Sequence, residues 1–283
     1  VEARDRVLVT ATELAALIEA GDPPVLLDVR WRLDEPDGRP AYLAGHLPGA
    51  VYVSLEDELS DHAVTGRGRH PLPSGRSLEA AARRWGIHQD DSVVVYDDWN
   101  RAGSARAWWV LTAAGLENVR ILDGGLSAWR ASGRGLETGP VSPPPGNVTV
   151  PHDDLYAGGR PTLTAAQTGE GVTLLDARAP ERFRGDVEPL DPVAGHIPCA
   201  KNLPSGTVLA GDGTFVGDYA LAQLLFDHGI DRDAPVGVYC GSGVTAAITI
   251  AALAAAGREA ALYPGSWSEW CSDPGRPVGH GPE

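Results

Sequence analysis

Val25-Leu-Leu-Asp-Val-Arg30 returns later in the chain as Thr173-Leu-Leu-Asp-Ala-Arg178. Outward from that pair, Ala44-Gly-His-Leu-Pro-Gly-Ala50 returns as Ala194-Gly-His-Ile-Pro-Cys-Ala200, and Val93-Val-Val-Tyr96 as Val236-Gly-Val-Tyr239. Asp123-Gly-Gly-Leu-Ser-Ala-Trp129 returns as Pro264-Gly-Ser-Trp-Ser-Glu-Trp270. The echoes keep one order, each about 140–150 residues on, far too long a period for a solenoid. The chain therefore reads as two tandem copies of one domain, 1–138 and 153–283, joined by a Pro-rich linker over 139–152. Within that linker, Gly139-Pro-Val-Ser-Pro-Pro-Pro-Gly146 cannot continue a helix and lacks backbone donors for a sheet.

Each copy alternates short apolar runs with helical patterns. Val25–Val29, Ser92–Tyr96 and Arg120–Leu122 read as strands, as do Leu174–Ala177, Val236–Tyr239 and Ala261–Tyr263. Thr12–Ala20, capped by Thr10 or Thr12, reads as a helix. So do Ser77–Trp85, Gly103–Ala114, Tyr219–His228 and Val244–Ala256. Strands interleaved with helices predict an α/β fold in which each copy is a mostly parallel sheet flanked by helices.

Composition narrows the function. Lys+Arg 23 against Asp+Glu 38 gives a net charge of −15, which excludes nucleic acid as a general partner, because phosphate binding needs clustered cations. The longest apolar run, Ala246–Ala256, is shorter than the roughly 20 residues a membrane span needs, so no membrane partner is expected. The opening Val1-Glu-Ala-Arg-Asp-Arg6 carries no signal-peptide pattern. Cys199, Cys240 and Cys271 are too few, and odd in number, for a closed disulfide framework. The expectation is a cytoplasmic protein with reduced thiols, one of which is reactive.

That thiol is Cys240. It ends the strand Val236–Tyr239 and is followed by Gly241-Ser-Gly-Val-Thr245 and an Ala-rich helix. Gly241 and Gly243 let the backbone fold tightly round the preceding side chain. Several N–H groups then converge on it at the positive end of a helix, which stabilises a negative sulfur and suits a nucleophile. The first copy has Asp97-Asp-Trp-Asn-Arg101 at the same place and has no thiol there. A phosphatase loop would need an Arg where this chain has Ala246, and a thioredoxin-like motif would need a Cys where it has Gly243.

The loop Cys240-Gly-Ser-Gly-Val-Thr-Ala246 resembles the active-site loop of the two-domain rhodanese-type sulfurtransferases, in particular the mercaptopyruvate branch. The paired Gly-His-hydrophobic-Pro motifs, the Leu-Asp-x-Arg motifs and the terminal Gly265-Ser-Trp-Ser-Glu-Trp270 resemble that family too, so the likeness covers nearly the whole chain. The resemblance implies two tandem rhodanese-like domains, of which only the second is catalytic. It implies a ping-pong reaction in which Cys240 takes a sulfane sulfur from 3-mercaptopyruvate or thiosulfate. The resulting persulfide passes its sulfur to cyanide, a small thiol or a protein thiol. Gly241, Ser242, Gly243, Val244 and Thr245 would cradle the persulfide. No metal and no organic cofactor is implied.

Other residues carry over by position. Arg182, in Ala179-Pro-Glu-Arg-Phe-Arg-Gly185, matches the arginine that binds the donor's anion. Ser242 matches a serine that relays a proton, and His70, in Gly68-Arg-His-Pro-Leu-Pro73, matches its histidine partner. Ser54, with Glu56 nearby, stands where a carboxylate completes that relay. Mercaptopyruvate enzymes carry a second arginine where this chain has Pro189, and Arg184 or Arg101 is the expected substitute. The loop points to mercaptopyruvate and Pro189 away from it, so both donors stay open. His46, His196, Asp28 and Asp176 recur in both copies and are assigned to architecture; Cys199 and Cys271 are assigned no chemistry. The alternative function is a persulfide carrier dedicated to one protein acceptor.

Overall fold

The computed structural model describes residues 2–169 and 171–282. These form two compact units. The first comprises residues 1–61, 72–160 and 210–215; the second comprises 62–71, 161–209 and 216–283. The units do not follow a single cut of the chain. The Pro-rich segment 139–152 goes with the first unit, and the short stretch 62–71 goes with the second.

The first unit holds five parallel strands: β1 (Leu8–Val9), β2 (Val25–Asp28), β3 (Val51–Tyr52), β4 (Val93–Tyr96) and β5 (Val119–Leu122), in the order β1-β5-β4-β2-β3. The second holds β6 (Thr173–Asp176), β7 (Lys201–Asn202), β8 (Val236–Tyr239) and β9 (Ala261–Leu262), in the order β7-β6-β8-β9. The β2–β4 and β6–β8 pairs have matching registers, Asp28 opposite Tyr96 and Asp176 opposite Tyr239. The counterpart of β1 shrinks to one bridge, Thr162 with Leu262. All paired strands run parallel, which requires a crossover between each pair and leaves loops at the C-terminal ends free to build a site.

The two-residue strands β1, β3 and β7 escape sequence reading because they are too short to show a period. The long helices are found close to their predicted places: Ala11–Glu19, Gly75–Arg84, Ala102–Ala114, Asp218–Asp227 and Ala246–Ala255. Thr10 caps the first: its hydroxyl accepts the Glu13 N–H at 3.2 Å and Glu13 returns a bond to the Thr10 N–H at 2.8 Å. Ala102–Ala114 and Ala246–Ala255 are buried on nearly every face, hence their small residues. None of the described helices is long and apolar enough to cross a membrane.

The Leu-Asp-x-Arg motifs lock the Gly-His loops in both units. Arg178 pairs with Asp176 at 2.7 Å and donates to the Gly195 carbonyl at 2.7 Å, while Arg30 pairs with Asp28 and reaches the Gly45 carbonyl. His196 stacks on Phe183 with centroids 3.8 Å apart and bonds the Phe183 carbonyl; His46 stacks on Tyr42 at 4.2 Å and bonds the Gly139 carbonyl. Both rings are consumed by packing and backbone contacts. Ser54 is likewise occupied: it caps the turn Leu55–Glu58 by accepting the Asp57 N–H.

Candidate active site

The end of β8 turns straight into the helix Ala246–Ala255 through Cys240–Thr245. Cys240 is 2% exposed. Its sulfur accepts the Gly243 N–H at 3.1 Å, and its own N–H donates to the Ser266 hydroxyl at 3.1 Å. The Cys240 and Gly241 carbonyls accept from Trp267 (3.0 Å) and Ser268 (2.9 Å). Gly243 has φ +84°, and a Cβ there would stand 2.5 Å from the Pro264 carbonyl oxygen. Only glycine fits that turn, which aims the N–H at the sulfur. Ser242 and Val244 are buried, and Thr245 opens the helix.

Two guanidinium groups flank the loop. A Cβ built on Gly241 would lie 3.0 Å from Arg69 Nη2 and 3.4 and 3.5 Å from the Arg182 Nη atoms. Arg182 pairs with Glu188 at 2.9 Å and lies 3.6 Å from Asp191; Arg69 also pairs with Asp191. Burial pushes the Glu188 carboxyl up, but the Asp191 and Leu190 N–H groups and Arg182 outweigh it and hold the group below the ordinary carboxylate range. Burial also pushes the Cys271 thiol up, and there nothing outweighs it: the group stays above its usual range, with Asp191 nearby adding to the rise. Cys199 is exposed, and all three cysteines are free thiols.

Arg182 therefore reaches the loop, and Arg184 does not join it: Arg184 pairs with Asp186 at 2.8 Å on the exposed surface. Arg101 is committed within the first unit to Asp97 at 3.0 Å. The guanidinium that stands beside Arg182 at the loop is that of Arg69. It is missed in the sequence because it adjoins His70 in a first-copy segment that folds with the second unit. His70 is buried and meets the His62 ring edge-on, with centroids 5.6 Å apart. Ser266 is missed too, although it stands against Gly125 in the repeat and is thus the visible departure.

A parallel α/β unit whose central strand delivers a buried cysteine into an amide-lined turn before a helix defines the rhodanese class, here present twice with one cysteine loop. The family model described as "Rhodanese-like domain" matches residues 10–132 and 161–273. A Mycobacterium tuberculosis protein provisionally named a thiosulfate sulfurtransferase, SseB, is 73% identical over 281 residues, covering 99% of each chain. The 3-mercaptopyruvate sulfurtransferase of Escherichia coli is 38% identical over 240 residues, covering 84% of each. Among solved structures, the Escherichia coli 3-mercaptopyruvate sulfurtransferase SseA matches with a TM-score of 0.80 at 33% identity, covering 92% of this chain and 98% of that one. This chain belongs to the two-domain rhodanese sulfurtransferases.

Proposed function

We propose that this sulfurtransferase works through a persulfide on Cys240. The Cys240 thiolate attacks the thiol sulfur of 3-mercaptopyruvate or the outer, sulfane sulfur of thiosulfate. The new S–S bond forms as the donor's C–S or S–S bond breaks, and pyruvate (after protonation of its enolate) or sulfite leaves. A thiol acceptor, or cyanide, then attacks the outer sulfur and takes it away, and Cys240 leaves as the thiolate again. The observation that supports this is the Gly243 N–H on the Cys240 sulfur at the head of a helix, a setting that stabilises an anion on sulfur.

The other assignments are carried over from the resemblance to the family. Gly241 to Thr245 cradle the persulfide, Arg182 binds the donor's anion, and Ser242 with His70 handles the proton of the leaving group. The three free thiols fit a reducing compartment, the cytoplasm. The relatives are named as transferases acting on small donors, so a carrier dedicated to one protein is not favoured. The test is thiocyanate formation from cyanide with each donor. Wild type is expected to turn over at least one of them, and Cys240→Ser neither. Turnover by Cys240→Ser contradicts the proposal.

A further inference from the structure

We propose that the first unit carries a binding site of its own, for an alkylammonium group, in a cavity beside the turn Leu55–Glu58. The site is independent of the Cys240 persulfide. The cavity measures about 320 Å³. Three carboxylates, Asp57, Glu58 and Asp61, line it, and Arg84 is the one base among the described lining residues. Acidic walls are common on their own; Ser60 makes this one a site. It stands on the same wall, is 5% exposed, and its hydroxyl has no hydrogen-bond partner among the described residues. A buried hydroxyl is seldom left unpaired, and a donor on a ligand in the cavity would satisfy it.

The wall is held ready. Buried Arg106 donates through Nη2 to the Leu59 carbonyl at 2.9 Å and fixes the backbone just before Ser60. Glu58 is engaged at both oxygens: one accepts from Arg84 at 3.3 Å and from the Trp85 indole N–H at 3.2 Å, the other from the Ser54 N–H at 3.0 Å. Arg84 therefore answers Glu58. Asp57 accepts the Ser54 hydroxyl at 3.0 Å through one oxygen, and a carboxylate has acceptor positions beyond that. The turn follows β3, so the cavity lies beyond the C-terminal ends of the strands, where parallel sheets place ligands.

The lining selects the ligand class. Among the described residues the three carboxylates are not gathered within 4.8 Å of one another, as one bare metal ion would require. An anion is repelled by them. An ammonium brings three donors, which spread over Ser60 and separate carboxylates. Pro73, Ala80 and Ala81 line the cavity with small apolar surface that suits a methylene stem, as the stems of long cationic side chains lie along apolar surface. The chain's net charge of −15 draws such cations towards it.

The test is calorimetric titration of the full chain at low salt with cadaverine, with pentanol as its neutral counterpart and with magnesium ion. Saturable binding of cadaverine is expected, weakened by added salt, with no binding of pentanol. Ser60→Ala is expected to weaken it about tenfold and Asp57→Asn, at a more exposed position, about threefold. Without ligand, Ser60→Ala should melt no lower than wild type, because it removes an unpaired buried hydroxyl, and its sulfur transfer should stay within about twofold. Acetyl-lysine amide distinguishes the sources and supports the site either way: tighter binding than cadaverine points to a protein's lysine, weaker binding to a free amine. Cadaverine binding unchanged by both variants, equal binding of pentanol, or tighter binding of magnesium overturns the assignment.

Discussion

The two strand-to-helix turns occupy the same place in their units and treat the same physical problem differently. In the first, Asp97 ends β4; its carboxylate accepts N–H groups from Trp99 (3.0 Å), Arg101 (3.2 Å) and Ser104 (3.1 Å), and the Ser104 hydroxyl at 2.5 Å. The Leu126 N–H donates to the Asp97 carbonyl at 3.0 Å, as Trp267 does to Cys240. The turn is an anion site whose anion is built into the chain. In the second, a thiol takes that place and Gly243 supplies the N–H. A carboxylate satisfies the amides for good, whereas a sulfur can gain and lose a second sulfur. The partner strand-end differs to match. Gly125 makes room for the Arg101 guanidinium, which a Cβ would overlap, while its counterpart Ser266 lends a hydroxyl to the Cys240 N–H.

The largest expected effect comes from removing that distinction. Cys240→Ser should lower sulfur transfer by at least about a thousandfold, since an alcohol is not ionised at neutral pH and stores no sulfane sulfur; steady-state thiocyanate formation measures it. Arg182→Ala should cost about 10- to 150-fold in kcat/KM with either donor, the value of one charge-assisted contact of roughly 1.5–3 kcal/mol. Unchanged kinetics would remove Arg182 from the anion site. Gly243→Ala forces a Cβ against the Pro264 carbonyl and should cost about 1–3 kcal/mol of stability by denaturant unfolding.

Two further variants probe the silent turn and the acid behind the arginines. Asp97→Cys is expected to acquire no persulfide, because Arg101 fills the turn and Asp98, Trp99 and Asn100 supply no Gly-x-Gly cradle. A second persulfide with matching turnover would show that the glycines are dispensable. Glu188 has its folded value lowered, so its contribution is fully present above the unfolded value near ~4.3 and fades as pH falls through the folded one. Wild type should lose stability against Glu188→Gln only as pH drops below about 4, and the two should track each other's pH dependence between 6 and 8 in thermal melts.

How much of this was legible follows from where each signal lies. The duplication, the parallel sheets and the cysteine loop were readable because each sits in a contiguous motif: Val25–Arg30 with its echo, and Cys240–Thr245 with its two glycines. The pair of guanidinium groups beside the cysteine loop was readable only by half. Arg182 stands in a local helix, Pro180–Arg184, of the same unit as the loop. Arg69 comes from a segment far away in sequence, and nothing in its neighbours marks it as folding with the second unit. Arg184 looked equally suitable on paper, but its helix turns it towards Asp186. Strands β1, β3 and β7 and Ser266 were lost for a third reason: two residues show no period, and one serine in place of a glycine means little until its hydroxyl is seen on the Cys240 N–H.

The most direct measurement is peptide mass mapping of the wild-type protein after brief treatment with donor under non-reducing conditions. One added sulfur is expected on the peptide holding Cys240, none on those holding Cys199 or Cys271, and it should disappear when cyanide is added. Sulfur lodged on Cys199 or Cys271 with Cys240 unmodified would contradict the assignment of the second turn as the one that carries the load.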